Sequence, residues 1–188
     1  MQRNYKTQMQ AARMGIITPE MEVVARKENM DPEILRGYIA EGKAIIPANI
    51  KHKSIDPEGL GSMLTTKVNV NLGISKDARD YDKEIEKVNK TIELGAHAIM
   101  DLSSHGNTQP FRQKLVEESK VMLGTVPVYD AVIHYQRDLK DISGKDFVDV
   151  IRLHAEDGVD FVTLHCGINK KTMDQIKNEK RKMNIISR

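Results

Sequence analysis

The spacing of hydrophobic positions changes near residue 65. Before it, short polar segments with helix-start signals follow one another: Thr7 to Met14, then Thr18-Pro19-Glu20-Met21-Glu22, then Asp31-Pro32-Glu33. A capping residue followed by Pro at the first turn marks a helix start, so residues 1–64 are predicted to form a helical lead-in. From Lys67 onward, short β-branched runs alternate with longer amphipathic segments, as in βα units around a parallel sheet. Strands are predicted near Lys67–Asn71, His97–Asp101, Val121–Thr125, Asp160–His165 and Asn184–Ser187. Their starts lie roughly 25 to 40 residues apart, the span of one βα unit.

The clearest helix is predicted over Ala78–Leu94, where Ile85, Val88 and Ile92 recur at helical spacing and Gly95 supplies the stop. Its other face, Lys83, Glu86, Lys87 and Lys90, is solvated charge. Asp146–Glu156 repeats the arrangement, with Phe147, Val150 and Ile151 as the buried stripe and Gly158 as the stop. Phe111, Leu115 and Val116 mark a shorter helix entered through Asn107-Thr108 as caps.

Strand–helix repetition fits either a doubly wound sheet or the first part of an eight-stranded barrel. No G-x-G-x-x-G follows the first strand to favour a dinucleotide fold. The fold expected is α/β: a partial (β/α)8 TIM-type barrel of about five strands over residues 65–188, preceded by the helical segment 1–64. The last predicted strand, Asn184–Ser187, has no helix after it and would leave an unpaired edge, so the chain reads as a truncated barrel.

Composition narrows the function class. The 188 residues carry 29 Lys+Arg against 27 Asp+Glu, with 4% aromatic residues and no Trp. That balance lacks the basic excess and stacking platforms of nucleic-acid binders. The longest apolar stretches, such as Ala44–Ile46 and Ala98–Met100, fall far short of the roughly 20 residues of a spanning helix, and no apolar run follows the N-terminus. A cytoplasmic protein binding neither nucleic acid nor membrane is expected. Cys166 is the single cysteine, which excludes an internal disulfide and a self-contained iron–sulfur site.

In a parallel barrel the functional face lies at the C-terminal ends of the strands. The polar residues closing the apolar runs are Asn69-Val70-Asn71, Asp101-Leu102-Ser103, Thr125 to Tyr129, His165-Cys166-Gly167 and Ser187-Arg188. Singly each has a plain reading: Asn71 as a turn former, Met100 as core filler, His165 as a core histidine, Cys166 as a small buried hydrophobe. Together they suit a polar heteroaromatic ligand, with amide and imidazole for ring nitrogens, Tyr129 for stacking and Ser187-Arg188 for a phosphate. The other histidines, His52, His97, His105, His134 and His154, show no zinc-site spacing, and His154 reads as structural. The basic run from Lys170 to Lys182 reads as a solvated helix face.

Six blocks occur in order: Gly15-Ile16-Ile17-Thr18-Pro19-Glu20-Met21-Glu22, Ala44 to Ile50, Met100-Asp101-Leu102-Ser103, Gly124 to Tyr129, Asp157 to Phe161 and Ile186-Ser187-Arg188. Over about Thr7 to Arg188 the chain closely resembles the N-terminal half of the phosphomethylpyrimidine synthase family, radical S-adenosylmethionine enzymes of thiamine biosynthesis. The resemblance implies a (β/α)8 barrel that rearranges aminoimidazole ribotide into hydroxymethylpyrimidine phosphate. It implies a [4Fe-4S] cluster that cleaves S-adenosylmethionine, a zinc or other divalent metal, and a homodimer of the full-length protein. Carried onto matching positions, the family's substrate contacts are Asn71, Met100, Tyr129, His165, Ser187 and Arg188. The family's cluster and metal ligands lie beyond Arg188, so this chain alone is expected to be inactive.

The chain departs from the family pattern at three places. Met100-Asp101-Leu102-Ser103-Ser104-His105-Gly106-Asn107 stands where M-D-L-S-T-G is usual, Asp130 stands where Gln or Glu is common, and Lys51 replaces an Asn. These departures keep open a sister branch, the hydroxybenzimidazole synthases of cobamide lower-ligand biosynthesis. A non-catalytic ribotide-binding protein is the remaining alternative.

Overall fold

The computed structural model describes residues 3–77, 79–167 and 169–178. Three short helices open it: α1 (Gln8–Arg13), α2 (Pro19–Lys27) and α3 (Pro32–Ala40). Each begins as its sequence dictates, with Thr7, Thr18 and Asp31 accepting hydrogen bonds from the amides of Gln10, Met21 and Glu33. Their inner faces, Ala11, Ala12, Met21, Val24, Ala25, Leu35 and Ile39, pack with Ala44 and Ile46 into one hydrophobic cluster. A small antiparallel ribbon that sequence reading did not anticipate, β1 (Ala44–Ile45) with β2 (Leu60–Gly61), follows.

The remainder alternates β3 (Asn69–Leu72), α4 (Tyr81–Glu93), β4 (Ala98–Asp101), α5 (Gln109–Glu118), β5 (Met122–Thr125), α6 (Pro127–Tyr135), α7 (Gly144–Asp157), β6 (Phe161–Val162) and α8 (Lys170–Asn178). The four strands pair in parallel and in chain order, β3-β4-β5-β6. Order without reversal fits both the arc of a barrel and one half of a doubly wound sheet, which reverses only at its switch point. Among the described residues the sheet is open, with β3 and β6 at its edges, and no closed barrel forms. The predicted strand Asn184–Ser187 lies outside the described residues.

Four strands sit close to their predicted positions, and the shifts trace to partners distant in the chain. The first starts at Asn69, not Lys67, because the Lys67 side chain is drawn back to Glu28 and Thr65 of the lead-in. The fourth is the shortest: Asp160 is held by Asn49 and His52, and after Val162 only the Thr163 amide continues the ladder, to Thr125 O at 2.8 Å. Helix α6 is a further addition, started by Pro127 immediately past β5.

The second hydrophobic cluster, Ile74, Val88, Ile99, Phe111, Leu115, Val116, Leu123 and Val159, lies between the sheet and its helices. Val88 is buried as the helical spacing predicts, and α7 carries the capping box Ser143/Asp146 with Gly158 at its left-handed C-cap. Thr108 precedes α5 but makes no side-chain cap; its hydroxyl is used elsewhere.

A polar seam joins the lead-in to the sheet. Asp160 accepts from the amides of Asn49 (2.7 Å) and Leu123 (2.8 Å) and from His52 Nδ1 (2.7 Å), while His52 Nε2 meets Ser119 O at 2.9 Å. Asn49 Nδ2 donates to Ala155 O and Val159 O. These groups sit where β5 and β6 begin, the end of a βα sheet associated with stability rather than chemistry.

Candidate functional site

Alternation along each strand sorts the sheet into two faces. Leu72, Ile99, Leu123 and Val162 belong to or pack on the helix-side core. In register on the opposite, open face stand Asn71, Met100, Gly124 and Phe161. Two residues expected at the site, Asn71 and Met100, are therefore cross-strand partners. Thr163, next on that face of the last strand, reaches Met100 Sδ at 3.9 Å across Gly124.

Asn71 lines a cleft of about 970 Å3 together with Gly73, Leu102, Ser104, Lys87 and Tyr129. Asn69 Nδ2 donates to Asn71 Oδ1 at 3.0 Å. That bond uses one acceptor site of the amide oxygen and orients the group so that the Nδ2 hydrogens of Asn71 can meet an acceptor. Tyr129 enters from the first turn of α6, and its ring lies 6.2 Å from that of His165, which follows β6 in an exposed segment. The structure thus brings together Asn71, Met100, Tyr129 and His165 at the C-terminal ends of the strands. Ser187 and Arg188 lie outside the described residues. Cys166 is exposed, contrary to its reading as a buried hydrophobe, because the chain has already left the sheet at Thr163.

The rim of the cleft is built by two loops locked together. Gly73 has φ +141°, and a Cβ there would lie 2.6 Å from Ser103 N and 2.9 Å from Asp101 Oδ1. Only glycine permits both the backbone conformation and the close approach. Its amide donates to Glu84 Oε2 at 3.2 Å, from a carboxylate that α4 buries at 2% exposure. Asp101 closes β4 on the helix side; burial pushes its pKa up, against bonds from the Ser103 hydroxyl and amide.

Behind Tyr129 lies a buried ionic cluster. Arg112 Nε and Nη2 donate to Asp157 Oδ2 at 3.0 and 2.7 Å, and its Nη1 reaches Asp130 Oδ2 at 3.2 Å. His154 Nε2 meets the same Asp130 oxygen at 2.9 Å, its Nδ1 lies 2.8 Å from the Thr125 hydroxyl, and Thr108 donates to Asp130 Oδ1. Burial acts to raise the Asp130 pKa, but bonds from His154 and Thr108 and the Arg112 charge outweigh it and hold it at about 2. His154 is structural, as expected. Asp130, read as a departure near the pocket, adjoins Tyr129 and is engaged by Thr108, Arg112 and His154. Thr108, which bonds Asp130, is the residue that immediately follows the altered segment Met100 to Asn107.

Sequence reading missed Arg112, Asp157 and Glu84, and it named Asn69 at the strand end without its role toward Asn71. Glu84 carried a signal, four residues before buried Val88 on the same helical stripe. Arg112 carried one also, adjacent to Phe111 on a helix whose buried residues include both.

The profile of the Radical SAM ThiC family matches residues 7–188. The chain is 60% identical over 184 residues to the phosphomethylpyrimidine synthase of Alkaliphilus oremlandii, and 57% identical over 185 residues to that of Clostridium kluyveri. It is 55% identical to that of Clostridium botulinum strain 657. Each match covers 98% of this chain and 42% of the relative, so the chain spans less than half the length of the synthases it matches. A family profile over almost every residue, on a parallel sheet whose strand ends gather Asn71, Met100, Tyr129 and His165, leaves one conclusion: the chain belongs to the Radical SAM ThiC family.

Proposed function

We propose that this chain is the N-terminal portion of a radical S-adenosylmethionine lyase that rearranges aminoimidazole ribotide to hydroxymethylpyrimidine phosphate in thiamine biosynthesis. Residues 1–64 are its lead-in and residues 65–188 the first part of a (β/α)8 barrel, in a full-length homodimer. The observation that carries the reading is the in-register pair Asn71 and Met100 beside the Tyr129–His165 pair, all at one end of the sheet. An amide donor, a thioether and two flat rings suit a five-membered nitrogen heterocycle. Ser187 and Arg188 complete the proposed contacts.

The family implies S-adenosylmethionine and an iron–sulfur cluster, and we read the full-length protein as a cytoplasmic enzyme. A [4Fe-4S] cluster needs three or four thiolates, whereas this chain has one cysteine. Its own residues do not fit the cluster, and among the described residues no group of side chains suits a metal. Cluster and divalent metal are assigned to the remainder of the full-length protein. What this chain does is bind and orient the ribotide.

The 54–60% identical relatives named phosphomethylpyrimidine synthase favour the thiamine product. The engagement of Asp130 behind the pocket removes one argument for a benzimidazole product. The test is anaerobic turnover of a full-length enzyme carrying this sequence at residues 1–188 and the remaining length of the Alkaliphilus oremlandii synthase. With the cluster reconstituted and both substrates supplied, hydroxymethylpyrimidine phosphate is expected by mass. Hydroxybenzimidazole would move the protein to cobamide synthesis; ribotide binding without turnover would leave a binding protein.

In that enzyme, Asn71→Ala is expected to weaken ribotide binding about 5- to 30-fold, the worth of a lost ligand hydrogen bond in a shielded site. Asn69→Ala, which frees Asn71 Oδ1 without touching ligand, is expected to weaken it by about 3-fold. Titration calorimetry of both variants checks this, and equal effects would show that Asn69 does more than orient its neighbour.

A further inference from the structure

The open-face row Asn71–Met100–Gly124–Phe161 has a gap at its third position, because glycine offers no side chain. The Phe161 ring fills it: a Cβ built on Gly124 would overlap Phe161 Cε2 and Cζ and lie 2.9 Å from Cε1. The ring therefore leans from β6 onto the β5 backbone, with its distal edge over Gly124. Phe161 is partly exposed on that face, whereas its neighbours Val159 and Val162 belong to or pack on the helix-side core.

We infer that Phe161 is a specificity-determining residue, forming the apolar floor against which the heteroaromatic base of the ribotide packs. This rests on the ribotide reading proposed above. The row supplies one amide, one thioether and one aromatic ring, with no charge among them. Such a surface suits a flat uncharged base and offers no positive charge to a phosphate. Gly124 is required so that the ring can recede by the depth of one side chain and leave room for that base.

The experiment uses the full-length enzyme described above and measures binding of aminoimidazole ribotide and of ribose 5-phosphate, which lacks the base. Phe161→Leu keeps an apolar side chain but removes the flat face. It is expected to weaken ribotide binding about 3- to 10-fold while leaving ribose 5-phosphate unchanged. Gly124→Ala pushes the ring into the site and is expected to weaken ribotide binding at least 10-fold. In Gly124→Ala/Phe161→Leu much of that loss is expected to return, because the smaller side chain clears the added methyl. Thermal unfolding of every variant accompanies the titrations.

A purely structural role would weaken both ligands alike, and no recovery in the double variant would mean that the Gly124→Ala loss does not act through the Phe161 ring; either result overturns the inference. If the unsubstituted enzyme fails to bind ribotide, the functional reading falls and the inference with it. If it binds and the Phe161→Leu variant binds equally well, the inference alone falls.

Discussion

Replacing Arg112 with Met is expected to lower the stability of the protein by about 3–5 kcal/mol, the usual cost of removing one partner from a buried ion pair. Arg112 is 2% exposed and is the cation that both Asp130 and Asp157 face. Without it, two carboxylates that α6 and α7 hold under cover lose the charge that keeps them ionised at low cost. Asp157 retains bonds from Gln109 and Gln113, and Asp130 retains His154 and Thr108, so the fold loosens around α5 before it fails elsewhere. For a chain of this length the midpoint of thermal unfolding should fall by roughly 10 °C. Arg112→Lys keeps the charge but not the fork that spans two carboxylates, and should recover less than half of the loss. A loss under about 1 kcal/mol by denaturant titration would mean that the cluster is solvated. The consequence for function is direct, since Asp130 follows Tyr129 in the first turn of α6 and no side chain caps that helix.

The second large effect is expected at His52, and it depends on pH. Both ring nitrogens of this buried side chain face acceptors, Asp160 Oδ2 at 2.7 Å and Ser119 O at 2.9 Å. Both bonds form only when the ring carries both protons. Burial acts to lower the His52 pKa, but the hydrogen bond and charge of Asp160, with the Ser119 carbonyl, outweigh it and raise the pKa above 6.5. A pKa raised on folding contributes stability that is complete below the unfolded value and is lost as pH rises through the folded one. His52→Leu should therefore cost about 3 kcal/mol at pH 6, and the gap to the unsubstituted protein should narrow in alkaline solution. Unfolding free energies measured from pH 5.5 to 9 decide it. A gap independent of pH would mean that His52 is held neutral.

The two clusters explain which parts of this protein were legible before the structure. Capping residues and helical stripes act over three or four positions, so Thr18-Pro19, Asp31-Pro32, Ile85/Val88/Ile92 and Gly158 announced their helices directly. Strand ends were legible within about three residues. Where they shifted, the cause was a partner far away in the chain: Glu28 drawing Lys67, and His52 drawing Asp160 from 108 residues away. The site was legible for a topological reason, since successive parallel strands deliver their C-terminal ends to one edge whatever their exact bounds. That is why Asn71, Met100, Tyr129 and His165 stand together.

Sequence by itself therefore determined the alternation of strands and helices, the family, and the end of the sheet at which Asn71, Met100, Tyr129 and His165 stand. Tertiary structure decided what no local pattern encodes. It engaged Asp130 with Thr108, Arg112 and His154, made Asn69 the holder of Asn71, and laid Phe161 over Gly124. Each depends on side chains meeting across the sheet or between helices, where distance in space is a few ångströms and distance in sequence is 18 residues for Arg112 and Asp130 or more than 100 for His52 and Asp160. Periodicity tells a residue which face it occupies; only packing tells it which partner it finds there.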